Sequence, residues 1–78
     1  MTGRMFRIIM AFRTTTDAMA MEAFCQARGI PGRLIPLPSI ISAGCGLCWS
    51  APEEAREAVT GAAGIAGIEP DGIYMMLL

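Results

Sequence analysis

Apolar and polar positions alternate between two periods along this chain. Residues 5–12 form a short apolar run broken by Arg7, which suits a buried strand, although period alone also allows a helical turn there. Thr14, Thr15, Thr16 and Asp17 then supply N-cap chemistry, and the residues after them favour helix through Arg28, with Gly29 as its stop. Within that helix Ala18, Met21, Cys25 and Arg28 share one face with Phe24 beside them, the spacing of a stripe packed on a sheet. Arg33, Leu34 and Ile35 make a second short strand. It is closed by Pro36 and Pro38, which cannot donate to a ladder, so it should lie at a sheet edge. Residues 39–44 read as a loop and residues 47–50 as a brief apolar third strand. Pro52 in a first helical turn, with Glu53 and Glu54 behind it at the positive end of the dipole, opens a second helix. That helix runs through Ala58 and Val59 and is expected to fray over residues 61–67, where glycine recurs. Pro70, Asp71 and Gly72 form a turn, and residues 73–78 a closing strand.

Strand, helix, strand, strand, helix, strand is the order of the ferredoxin-like βαββαβ unit. The expected fold class is therefore α+β: a four-stranded antiparallel sheet with two helices on one face and the first and third strands at its centre. The end of the first strand, the start of the first helix and the start of the third strand then share one end of the sheet. Cys45 should accordingly sit near residues 14–17.

Composition narrows the function classes. A chain of 78 residues is read as one domain, residues 1–78, with room for a single core. Its hydrophobic content of 54%, including seven Met, is more apolar surface than one small core hides, so a homo-oligomer is expected. Six Arg, no Lys and seven acids are scattered to a net charge of -1, without the basic stripe that tracks a phosphate backbone; nucleic acid is not an expected partner. The opening residues lack the length of a signal h-region, and no apolar run approaches the roughly 18 residues of a membrane span. A cytoplasmic protein without membrane association is expected, its odd number of cysteines held mainly as thiols.

The chemistry concentrates in Ser42-Ala43-Gly44-Cys45-Gly46-Leu47-Cys48-Trp49. Gly44 and Gly46 strip side chains from the approach to the Cys45 sulfur and permit backbone angles that other residues resist. The same glycines also suit a plain loop or bulge at the sheet's end. Unpaired N–H groups and the dipole at the helix start around Thr16 favour an anion, and a thiolate is one; Arg13 adds to that field. Cys45 and Cys48 have the spacing of a redox pair, but a strand separates residues three apart by about 10 Å, too far for a disulfide unless the segment turns. On that ground Cys48 reads as core before resolving thiol, and Cys25 as a small buried hydrophobe. Trp49 and the Met75-Met76-Leu77-Leu78 end read as packing or subunit contact. Three Cys and no His do not complete a structural zinc site within one chain, leaving only a site shared between subunits. No cofactor motif is present; if this is an enzyme, sulfur does the work.

Arg33-Leu34-Ile35-Pro36-Leu37-Pro38, then Ile41-Ser42 and Cys45-Gly46-Leu47, with Thr16-Asp17-Ala18 and Glu22 upstream and Gly72-Ile73-Tyr74 downstream, resemble the selenium/sulfur carrier protein-like family, first catalogued as a domain of unknown function. The resemblance runs over residues 8–74 and is most specific in the Pro-x-Pro run leading to Cys-Gly-Leu. It implies that Cys45 bears a persulfide or selenide between a donor, such as a cysteine desulfurase, and an acceptor protein. Ser39 stands where the family often has a basic residue, and Cys48 where it commonly has a small non-thiol residue. Two other readings stay open: a thiol-disulfide redox protein using Cys45 and Cys48, and a non-enzymatic ligand-binding or assembly module.

Overall fold

The computed structural model describes residues 5–42 and 44–77. Its elements follow the expected order: β1 (Phe6–Ala11), α1 (Thr15–Arg28), β2 (Arg33–Pro36), β3 (Leu47–Pro52), α2 (Arg56–Ala66) and β4 (Gly72–Leu77). The strands form one antiparallel sheet in the order β2-β3-β1-β4, with β1 and β3 central and the proline-closed β2 at an edge. This is the α+β ferredoxin-like arrangement. Leu78, the last residue of the predicted closing strand, lies outside the described residues.

Alternation along the central strands sends one set of side chains toward the helices. Ile8, Met10 and Phe12 from the β1 side and Trp49 and Ala51 from β3 meet Ala18, Met21 and Cys25 of α1 and Val59, Ala62 and Ala63 of α2. The polar atom of the buried Trp49 ring is satisfied, its Nε1–H donating to the Pro31 carbonyl at 3.1 Å.

α1 begins as its sequence suggests: the Thr14 hydroxyl accepts from the Asp17 N–H at 3.0 Å. It ends at Gly29 in the left-handed conformation, with the Ile30 N–H reaching back to the Cys25 carbonyl at 2.9 Å. Arg28 departs from the expected packed stripe. It is exposed, and its guanidinium carbon lies 4.5 Å from the Phe24 ring centroid, a cation over a half-buried aromatic at the negative end of the helix.

The second helix differs from expectation at both ends. Pro52 closes β3 and caps a 3₁₀ turn, Glu53–Ala55, so the α-helix proper starts at Arg56. Nor does it fray over residues 61–67: it continues to Ala66 and stops at Gly67, whose φ is 74°. Gly61 and Gly64 are on the solvent side and cost about 1 kcal/mol each relative to alanine. Against them stand the burial of Val59 and of Ile68, each contributing about 1.5–3 kcal/mol. Ile68 is held by its N–H bond to the Ala63 carbonyl at 2.9 Å, so the terminating turn is itself an anchor in the core.

The sheet face turned away from the helices is also covered at its centre. Ile9, Ala11 and Cys48 are fully buried there although both helices lie on the other side. The β2–β3 connection supplies the cover. It leaves β2 at one edge, and Ile40, Ile41 and Ser42 line a recess with Tyr74, Met75 and Met76 of β4 at the other. It returns through Gly44 to the end of β1.

Candidate functional site

Cys45 stands on this returning segment, just before β3. Its N–H donates to the Phe12 carbonyl at 3.2 Å, while the Leu37 N–H donates to the Gly46 carbonyl at 2.9 Å. The thiol-bearing residue is thus held between the ends of β1 and β2. Positive φ values at Gly44 (39°) and Gly46 (80°) make the turn, but the two glycines differ. A Cβ on Gly44 would fall on the Phe12 carbonyl oxygen and lie 3.0 Å from the Arg13 Cα, whereas one on Gly46 would meet open space. Gly44 is therefore required by close backbone approach, and Gly46 by conformation alone.

The three cysteines are free and occupy distinct environments. Cys25 is buried in the helix-side core, and burial pushes its thiol up. Cys48 is fixed in β3, paired with Ala11 on one side and Ile35 on the other, its Sγ 4.0 Å from the Pro36 carbonyl oxygen. Burial first, and the charge of the neighbouring Cys45 second, push the Cys48 thiol up to about 11. At neutral pH it is a protonated thiol and adds no negative charge beside Cys45. Cys45 is half-buried, packed on one side against the core and accessible on the other.

Gly44 brings its segment against Phe12 and Arg13, the residues that link β1 to the Thr14 cap. Arg13 is exposed there. Thr16 is exposed in the first turn of α1, and the capping oxygen belongs to Thr14 instead. The same turn carries Asp17, whose carboxylate takes part of the favourable dipole field that a thiolate would use. Among the described residues no group of three or more His, Cys, Asp or Glu is placed to hold a metal ion, and no helix is long and apolar enough to cross a membrane.

Two features escape a linear reading of the sequence. One is the cover that buries Cys48; its trace is the apolar character of Ile9, Ala11 and Cys48 at the outward positions, the mark of strands covered on both faces. The other is Arg7, whose Nε donates to the Ser50 hydroxyl at 2.7 Å across the sheet.

Fold and site together define a small ferredoxin-like α+β protein presenting one accessible cysteine at a glycine-flanked turn. The chain belongs to the family described as Putative Se/S carrier protein-like, whose model matches residues 7–75. No curated protein and no solved structure matches it.

Proposed function

We propose that this protein carries sulfur or selenium covalently on Cys45. The observation that supports the reading most is the contrast in access: of three thiols, two are fully buried and Cys45 alone has solvent-exposed surface, on a segment pinned by backbone hydrogen bonds. In the loading step the Cys45 thiolate attacks the outer sulfur of a donor persulfide. A new S–S bond forms at Cys45, the donor's S–S bond breaks, and its electron pair leaves on the donor thiolate, with no net oxidation. The acceptor repeats the exchange and returns Cys45 to a thiolate. The selenium version has selenium as the outer atom. A cysteine desulfurase or comparable enzyme is the donor, and the exchange belongs in a reducing compartment such as the cytoplasm, where the thiol stays free. Exposed Met5, Phe6, Ile40, Ile65, Ile73 and Leu77 give apolar surface for a homo-oligomer or for the donor.

A Cys45–Cys48 disulfide is less well served. Cys48 would have to leave a ladder paired on both sides, and its protonated, buried thiol is a poor nucleophile. Intact mass after incubation with a cysteine desulfurase and cysteine tests the proposal. A gain of about 32 Da, one sulfur atom, is expected in the wild type and in Cys48→Ala, and not in Cys45→Ser. No gain in the wild type, with selenocysteine in place of cysteine giving none either, refutes the carrier reading, and loss in Cys48→Ala as well as Cys45→Ser replaces it with a function of the pair.

A further inference from the structure

The outer sheet face has a second recess toward the far end of β3. Arg7, Arg33 and Ser50 line it together with Pro31, Gly32, Ile35 and Pro52, and it is open to solvent with a volume of about 570 Å³. Arg33 pairs directly with Ser50 in the β2–β3 ladder, and Arg7 pairs with Pro52 in the β1–β3 ladder. Both arginines therefore project on the same face as Ser50, from the strands on either side of β3.

Several parts of this recess are held in place. The Arg7 Nε–H donates to the Ser50 hydroxyl at 2.7 Å and one terminal N–H to the Ser50 carbonyl at 3.4 Å; its other guanidinium donors make no hydrogen bond among the described residues. The Ser50 hydroxyl accepts from Arg7 and keeps its own proton to donate. The wall beside it is backbone. Gly32 has a φ of 124°, and a Cβ there would run into the Trp49 indole and come within 2.7 Å of the Ser50 carbonyl oxygen. The Trp49 bond to Pro31 fixes the same turn. Among the described residues no Asp or Glu lines the recess, although the chain as a whole carries a net charge of -1. Two cations with no Asp or Glu among the described residues of the lining, one anchored beside a hydroxyl, suit a doubly charged oxyanion. Open on its solvent side, the recess leaves room for an organic group beyond the phosphate itself.

We propose that this recess binds the phosphate group of a small organic phosphate monoester, with Arg7 and Arg33 gripping its oxygens and Ser50 donating a third hydrogen bond. From Leu47 to Ser50 the strand rises about 10 Å, so the site is separate from Cys45 and can be assayed without any sulfur chemistry.

The test is an NMR titration of the full chain at constant ionic strength with glycerol phosphate, inorganic phosphate and succinate in parallel. Saturable shifts centred on Arg7, Arg33 and Ser50 are expected with glycerol phosphate, weaker ones with inorganic phosphate, and the weakest with succinate. Arg33→Gln, at an exposed edge position, should weaken glycerol phosphate binding at least about tenfold, while Arg56→Gln on α2 leaves it unchanged. Absence of saturable shifts up to about 10 mM, equal weakening by Arg56→Gln, or tighter binding of succinate than of either phosphate overturns the proposal.

Discussion

Replacing Gly44 with alanine, set against the same change at Gly46, isolates what holds Cys45 in place. Both positions have positive φ, so an alanine at either bears about 1 kcal/mol of backbone strain. At Gly46 that is the whole cost, because the new methyl meets nothing within 4 Å. At Gly44 the methyl lands on the Phe12 carbonyl oxygen, with the Phe12 carbonyl carbon at 2.9 Å and the Arg13 Cα at 3.0 Å. These are backbone atoms and cannot rotate aside, so the segment must move and the Cys45 N–H loses its bond to Phe12. That adds about 1 kcal/mol for the hydrogen bond, with further displacement cost. Gly44→Ala should therefore destabilise by about 2–4 kcal/mol and Gly46→Ala by about 1. Native domains are stabilised by about 0.05–0.15 kcal/mol per residue, so for 78 residues the larger figure is a substantial share of the total. Urea unfolding followed by Trp49 fluorescence measures both, with m-values checked for equality. Equal losses at the two glycines, within about 0.5 kcal/mol, would refute the close-approach argument.

Three further outcomes are expected. Gly61→Ala and Gly64→Ala, where a Cβ meets open space in a helix that does not fray, should each raise stability by about 0.5–1 kcal/mol in the same assay; a loss at either would show that the helix frays there. Iodoacetamide should modify Cys45 at least about a hundredfold faster than Cys25 or Cys48 in the native protein, with the three rates converging in denaturant. Mass mapping that found Cys25 first would contradict the burial pattern. Because the Cys48 thiol is raised from 9.0 to about 11, the folded state holds its proton where the unfolded chain has released it. Its contribution is complete below about pH 9 and is lost as pH rises toward 11, so the stability of Cys48→Ala should fall less steeply over that window. Parallel pH profiles for wild type and variant would exclude the assignment.

The order of elements was legible because each boundary carries local chemistry that acts within a few residues: the Thr14 cap, the Gly29 stop, the prolines after β2, and the turn before Gly72. Cys45 was legible as a candidate because its neighbours are small. The end of α2 was not legible in this way. Gly61 and Gly64 weaken a helix locally, yet its length is decided by Val59, Ala63 and Ile68 reaching a core that their own sequence does not reveal.

The alternation of strand and helix, and through that order an α+β ferredoxin-like class, follows from the chain alone, since period, capping and turn residues are local properties. Which thiol is reachable depends on how the elements pack. Cys45 and Cys48 are three residues apart and chemically identical, but β3 begins between them and the β2–β3 connection folds over the face on which Cys48 lies. The packing likewise brings Arg7 beside Ser50 and Arg33, because pairing across a sheet joins residues that distance along the chain keeps apart.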